Sequence, residues 1–363
     1  MRVKLKDVCE KATSNLKQSD ILSIGGTYPV YGASGYLGNI DSYHQDKPYI
    51  AVVKDGAGIG RTTILPPKSS VIGTMQYLIP KENVMPEYLY YVVKHMRLQK
   101  YYTGATIPHI YFKDYQNEEF NLADSIRQRE IVKVLKNVED TIRYQEIEIN
   151  KFDELIKARF VEMFGDYLKD DRRPLSEVAI ITGGLTKNSN RNTFETKMPY
   201  LRVANVFYNR LDLREILKIG VKEEEIEKTL LQAGDLLFVE GNGSIEQIGR
   251  VAIWDGSIDP ILHQNHLIKA RFNNEIIAPE YALFYFMLQD GRQQIISKSV
   301  STSGLNTLSV NKVSSLLLPI PPIALQNQFA NFVRQVDKSR EAVKKSLEKT
   351  QQLYDSLMQE YFG

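Results

Sequence analysis

Residues 128–165 can be laid on residues 326–363 without a gap, at a constant shift of 198 positions (326 − 128). Gln128/Gln326, Val138/Val336, Lys151/Lys349, Leu155/Leu353, Glu162/Glu360, Phe164/Phe362 and Gly165/Gly363 coincide, and the apolar register carries over with them. In the first copy Ile131, Leu135, Val138, Ile142, Gln145, Ile149, Phe152, Ile156, Arg159 and Met163 step alternately by four and three. In the second, Phe329, Val333, Val336, Arg340, Val343, Leu347, Thr350, Tyr354, Leu357 and Tyr361 do the same. This alternation is the seam of a coiled coil. Neither stretch contains Pro or Gly before its closing Phe-Gly. The period is far too long for a solenoid, so the chain is a duplicated architecture with two long helices.

Two such stripes in one polypeptide are expected to zip against each other as an internal antiparallel pair. The contacting residues are then Ile131, Leu135, Val138, Ile142, Ile149, Phe152 and Ile156 against Phe329, Val333, Val336, Val343, Leu347, Tyr354 and Leu357. At ~1.5 Å per residue, a helix over 128–164 is about 55 Å long, the length of a spacer. The competing readings are an ordinary amphipathic helix on each domain, or a seam between two copies of the chain. Gln145, Arg159, Arg340 and Thr350 interrupt the stripes and are candidates for setting register or facing a partner.

Ahead of each helix lies a region of mixed strand and helix character. Tyr49–Lys54 reads as a strand followed by the glycine-rich loop 55–61, and Asp235–Glu240 as a strand followed by the longer loop 241–250. Both loops end in Ile-Gly-Arg, at 59–61 and 248–250. Val71–Ile79 and Ile261–Ile268 are the next strand candidates, and Pro86 and Pro279 each open an amphipathic helix at its first turn. The duplication therefore extends through whole domains, whose turn-rich N-terminal portions differ more than the rest.

The predicted fold class is α+β: two similar mixed α/β domains separated by an antiparallel pair of long coiled-coil helices. The expected boundaries are 1–125, 126–165, 166–323 and 324–363. No apolar run approaches the ~18–20 residues that cross a bilayer, and no signal-peptide-like stretch follows Met1. One cysteine, Cys9, excludes an internal disulfide framework. These features predict a cytoplasmic setting without membrane association. A net charge of +2 falls short of the strongly basic signature of many nucleic-acid binders, so charge alone does not point to DNA.

In this order, Tyr28-Pro-Val-Tyr-Gly-Ala-Ser-Gly35, Lys54-Asp-Gly-Ala-Gly-Ile-Gly60, Pro199-Tyr-Leu-Arg-Val-Ala-Asn205, Gly234-Asp-Leu-Leu-Phe238 and Ile320-Pro-Pro-Ile-Ala-Leu-Gln326 resemble the specificity subunit of type I restriction-modification enzymes. The resemblance covers essentially the whole chain. It implies two target-recognition domains, each reading half of a split sequence in double-stranded DNA. It also implies a helical pair that fixes the unread gap and docks two methyltransferase subunits. Restriction subunits are a further partner that the resemblance leaves open. No cofactor is expected on this chain; S-adenosylmethionine belongs to the methyltransferase partners.

Base edges are read by Arg or Lys on guanine, Asn or Gln on adenine, and Asp or Glu on cytosine. Loop candidates in the first domain are Lys54, Asp55, Arg61, Gln76, Thr106, His109 and Tyr111. Those in the second are Asn205, Glu240, Asn242, Arg250, Gln264, Asn265, His266, Asn306 and Thr307. Lys113 and Arg202 are candidates for phosphate contacts, which position without specifying.

Rival chemistries fit poorly. Loop 55–62 has Asp55 and Arg61 where a Walker loop needs Gly and Lys. His263 and His266 would face opposite sides of one strand, which does not make a metal site. Glu195-Thr-Lys197 has a nuclease-like form without an upstream acidic partner. No catalytic constellation recurs in both halves, so the chain is expected not to be an enzyme. The alternative function is a two-headed scaffold binding proteins or glycans.

Overall fold

The computed structural model describes residues 1–21, 25–104, 108–169, 172–302 and 304–363. They divide into two compact units: Met1–Ile147 with Val343–Gly363, and Glu148–Ala342.

The first unit is built on a four-stranded antiparallel sheet in the order Cys9–Thr13, Met75–Pro80, Tyr49–Val53, Thr62–Leu65. Tyr49–Val53 is buried along its whole length because successive side chains enter different cores. Ile50 and Val52 join Leu78 and the helix Pro86–His95. Tyr49, Ala51 and Val53 join Val71 and Tyr77 on the other side. A second sheet sets Tyr28–Gly32 between Gly35–Ile40, antiparallel, and Ser70–Val71, parallel.

The second unit repeats this plan. Its larger sheet runs Ala179–Gly183, Leu267–Phe272, Leu236–Val239, Val251–Ile253. Leu236 and Phe238 face one core with the helix Pro279–Met287, and Leu237 and Val239 face another with Trp254. The smaller sheet sets Lys197–Leu201 between Leu217–Gly220 and Leu262–His263. Both head helices start with Pro at the first turn, as expected.

Two strand expectations need correction. Val71–Ile79 and Ile261–Ile268 each break into two strands. The first pieces, Ser70–Val71 and Leu262–His263, pair in parallel within the smaller sheets. The second pieces, Met75–Pro80 and Leu267–Phe272, pair antiparallel within the larger ones. The chain crosses between sheets through a short turn, so His263 and His266 do not share a strand. His263 is fully buried, its Nδ1 2.8 Å from the Thr229 carbonyl, and burial holds its pKa down at about 4.

The long helices are Ser125–Phe164 and Ile323–Phe362. Within the first unit Glu139 bonds Tyr354 and Gln145 bonds Ser346; within the second, Arg340 bonds Asp153 and the Arg159 guanidinium lies over Phe332. As one residue number rises its partner's falls, so the helices are antiparallel in each unit. Ile131, Leu135, Ile156, Phe329, Val333, Val336 and Tyr354 are buried in the unit cores, and Val138, Ile142, Phe152 and Leu357 pack against them. Ile149, Val343 and Leu347 are only half-buried. The stripe widens where a helix meets its head: Phe160 and Phe164 are buried in the second unit, Met358 and Phe362 in the first. Of the interrupting residues, Gln145 and Arg340 bridge the helices by hydrogen bonds and Arg159, paired with Glu162, does so over the Phe332 ring, whereas Thr350 bonds the Ser346 carbonyl on its own helix.

Candidate nucleic-acid interface

In the first unit the chain leaves the central strand at Lys54. The backbone amides of Lys54 and Asp55 donate to the Thr74 carbonyl at 3.0 and 3.2 Å. The amides of Gly56 and Ile110 tie the segment 108–111 alongside, through the carbonyls of Pro108 and Lys54. This brings His109 to Asp55, with Nδ1 2.7 Å from Oδ1, while Lys54 also bonds the carboxylate. Burial raises the Asp55 carboxyl, but the Lys54 and His109 bonds outweigh it and hold it below its ordinary value. The His109 ring lies nearly parallel to Tyr111, centroids 6.4 Å apart, and the Lys113 ammonium sits 5.3 Å from the Tyr111 ring.

Loop 55–60 is a hairpin turn whose amides are used internally: Ile59 donates to Gly56, Gly60 to Val53 and Arg61 to Gly58. A phosphate cradle would need those N–H groups free. Gly60 has φ +78°, and a Cβ there would lie 2.5 Å from the Gln99 amide nitrogen, so only glycine fits. Arg61 reaches across to the Ala33 carbonyl at 2.9 Å.

In the second unit Glu240 follows the central strand. Its amide donates to the His266 carbonyl at 2.9 Å, its carbonyl accepts from Leu308, and Oε2 lies 2.7 Å from His266 Nδ1. Loop 241–250 is fastened from outside. Arg292 donates to the carbonyls of Ile245 and Ile248, and the Tyr208 hydroxyl donates to Glu246 at 2.6 Å. The Phe207 ring carries two guanidinium groups, Arg210 at 4.6 Å and Arg250 at 5.4 Å. Arg250 Nε is buried without a partner, and burial lowers that side chain's pKa.

The expected loop residues thus separate into two sets. Lys54, Asp55, Arg61, His109, Tyr111 and Lys113 gather at one mouth; Glu240, Asn242, Arg250, His266 and Thr307 gather at the other. Gln264 and Asn265 sit half-buried in the turn before His266, their amides bonded to Leu201 and Leu185. Thr307 Oγ1 donates to the Val300 carbonyl.

Three candidates are corrected because their polar atoms are consumed inside the fold. Gln76, 1% exposed, donates to the Tyr115 hydroxyl. Asn205, 2% exposed, accepts from the Arg202 amide and donates to the Asp212 and Glu215 carbonyls. Buried Asn306 reaches the Asn242 and Gly243 carbonyls at 3.4 Å. Arg202 is occupied by Glu215 at 2.7 Å. Thr106 lies outside the described residues.

Sequence reasoning missed Phe207, Tyr208, Arg210 and Arg292. The turn signal was readable at Tyr208-Asn209, where Asn209 takes φ +47°. Arg292 was not, because more than 40 positions separate it from the loop it holds.

Among the described residues no group of three or more His, Cys, Asp or Glu could hold a metal ion. No described helix is long and apolar enough to cross a membrane. Two sister heads with loops fastened at equivalent strand ends, and paired long helices, define a duplicated α+β architecture.

Residues 1–152 and 171–352 each match the family described as the type I restriction modification DNA specificity domain, and the chain belongs to that family. It is 29% identical over 186 residues to a putative type I restriction enzyme MjaX specificity subunit of Methanocaldococcus jannaschii, covering 50% of this chain and 43% of that one. It is 28% identical over 173 residues to the type I restriction enzyme EcoKI specificity subunit of Escherichia coli, covering 45% and 36%. The matched stretch thus spans less than half of each curated relative. The fold is similar to the crystal structure of a type I restriction-modification system S subunit from M. genitalium, with TM-score 0.59 at 15% identity over 100% and 96% of the two chains. It is also similar to a chain from a study of complex assembly and conformational transition in a type I system, with TM-score 0.61 at 13% identity over 99% and 97%. The family is one of DNA specificity, and the named relatives are specificity subunits.

Proposed function

We propose that the chain reads a bipartite, gapped sequence in double-stranded DNA and docks two methyltransferase subunits of a type I restriction-modification assembly. Residues 1–125 and 166–323 each read one half-site, and the helices 126–165 and 324–363 set the gap. The observation that carries this reading is the duplication. One domain family occurs twice, each copy presents a differently furnished mouth at the end of its central strand, and each is joined to a long helix. Methylation is the work of the partners, which bind S-adenosylmethionine; restriction subunits joining the same assembly would add cleavage. The setting is the cytoplasm, where the chromosome is exposed to both.

The near-neutral charge supports a division of labour in which the partners help embrace the duplex. The chain alone then binds DNA weakly, with a shallower salt dependence than the assembly. Methylome sequencing of cells with and without the chain tests the reading: one two-part motif should lose its methylation, and loss of none refutes it. A sharper test inserts four residues after Ile147 and four after Ala342. The added ~6 Å should lengthen the gap by one to two base pairs with both half-sites intact. Changed half-sites with an unchanged gap would refute the spacer.

A further inference from the structure

We infer that His109 and His266 are base-reading side chains common to the two mouths, each held for that role by its carboxylate. The inference rests on the DNA-reading function proposed above and specifies which atoms do the reading.

The chain has five histidines, and the other three are occupied elsewhere. His263 is fully buried, His44 lies 3.0 Å from the Tyr77 hydroxyl, and His95 packs on Phe362. The remaining two share one geometry: Nδ1 lies 2.7 Å from a carboxylate oxygen of Asp55 or Glu240, and both rings are partly exposed. Duplication alone does not produce this match, because the pairs occupy non-equivalent positions. Asp55 is the second residue after its central strand and Glu240 the first. His109 comes from the segment before the short helix Phe112–Tyr115, His266 from the turn entering Leu267–Phe272. Different residues have arrived at the same device in each head.

The chemistry follows from the acceptor. A carboxylate only accepts, so Nδ1 carries the proton, and in the neutral form of the ring Nε2 is left as a lone-pair acceptor. In the major groove that acceptor matches the exocyclic amino group of adenine or cytosine. The carboxylate fixes both tautomer and ring plane, so little side-chain freedom remains to be lost on binding. The backbone reinforces it. His109 exchanges two 2.8 Å bonds with Thr103, and the His266 carbonyl accepts from Glu240. Asp55 and Glu240 are positioning residues; the histidines make the contact.

The test uses the full chain assembled with its methyltransferase subunits, with methylated sites sequenced. His109→Ala should relax one base position in one half-site by roughly 10-fold, within the range of a base contact. His266→Ala should do the same in the other half-site only. Asp55→Ala and Glu240→Ala should relax the same positions as their histidine partners, by less. His109→Gln and His266→Gln keep an acceptor at similar reach and serve if an alanine variant fails to assemble; each should retain part of the preference. Unchanged base preference in a histidine variant, while the unaltered chain still marks a two-part sequence, overturns this inference alone. A weakening spread evenly over all sequences overturns it equally. An unaltered assembly that marks no two-part sequence overturns the functional reading, and this inference with it.

Discussion

The two heads agree where the starts of their helices must be satisfied and differ in a cluster where side chains satisfy one another. Gln128 Oε1 accepts from the Met85 amide at 2.8 Å, and its Nε2 donates to the Asn83 and Ala123 carbonyls at 3.1 and 2.9 Å. Gln326 repeats this with the Ala278 amide at 2.9 Å and the Ile276 and Pro321 carbonyls at 3.0 and 2.8 Å. Each glutamine joins the start of a long helix to the start of a head helix. Tyr88 and Tyr281 likewise donate to the Asn121 and Pro319 carbonyls, and their rings meet Phe362 and Phe164.

The first unit then adds a polar node absent from the second. Glu139 accepts from Lys94 at 2.7 Å and from Tyr91 and Tyr354 at 2.8 Å each. By the helix shift of 198, the counterparts of Glu139 and Tyr354 are Asp337 and Ile156. By the head shift of 193 (279 − 86), those of Tyr91 and Lys94 are Phe284 and Met287. Asp337 pairs with Arg340 on its own helix, and the other three are packed as hydrocarbon. Helix-start groups without an intrahelical partner persist whatever the side chains are, so their partners survive divergence. A buried polar set and an apolar set of similar volume are close in stability, so either serves.

That comparison can be broken by substitution. Phe164→Ala and Phe362→Ala should each destabilise by about 3–5 kcal/mol, because each ring is buried against its head's tyrosine. Hydrogen exchange should show the loss in Pro279–Met287 for the first variant and in Pro86–His95 for the second. Gln128→Leu and Gln326→Leu should each cost about 3 kcal/mol by orphaning one amide and two carbonyls. Clearly unequal penalties in chemical denaturation would end the equivalence of the two clamps.

Glu139→Leu should cost less, about 1–2 kcal/mol, since its side chain remains 30% exposed and solvent screens it. Burial raises the Glu139 carboxyl, but Lys94, Tyr91 and Tyr354 outweigh it and hold it below its ordinary value. Its contribution is therefore complete above pH about 4.3 and fades as pH falls through the lower folded value. Hydrogen exchange from pH 6 down to pH 3 should show that loss around Tyr91 and Lys94. Glu139→Leu should abolish that component; an unchanged acid response would remove the node from the comparison.

Much of this was legible in the sequence because periodic patterns report which face is buried. The 4-3 stripes marked both long helices, and Pro86 and Pro279 marked the head helices. Ile149, Val343 and Leu347 followed the same stripe yet are only half-buried, because periodicity names a face and not how much covers it. Gln128 and Gln326 stood out only as a coincidence of letters, since their backbone partners reach up to 50 positions away. Among the loop candidates, Asn205 and Gln76 looked like readers because a side-chain amide serves base edges and the fold's own polar groups equally well.

The duplication, the two apolar seams and the heads' central strands were determined by the order of residues alone, since each is a local repetition of apolar spacing. The tertiary structure decided which polar side chains remain available at the mouths and which are consumed within. Hydrogen-bond satisfaction depends on groups distant in sequence that only folding brings together, as Arg292 does for loop 241–250 and Glu240 for His266.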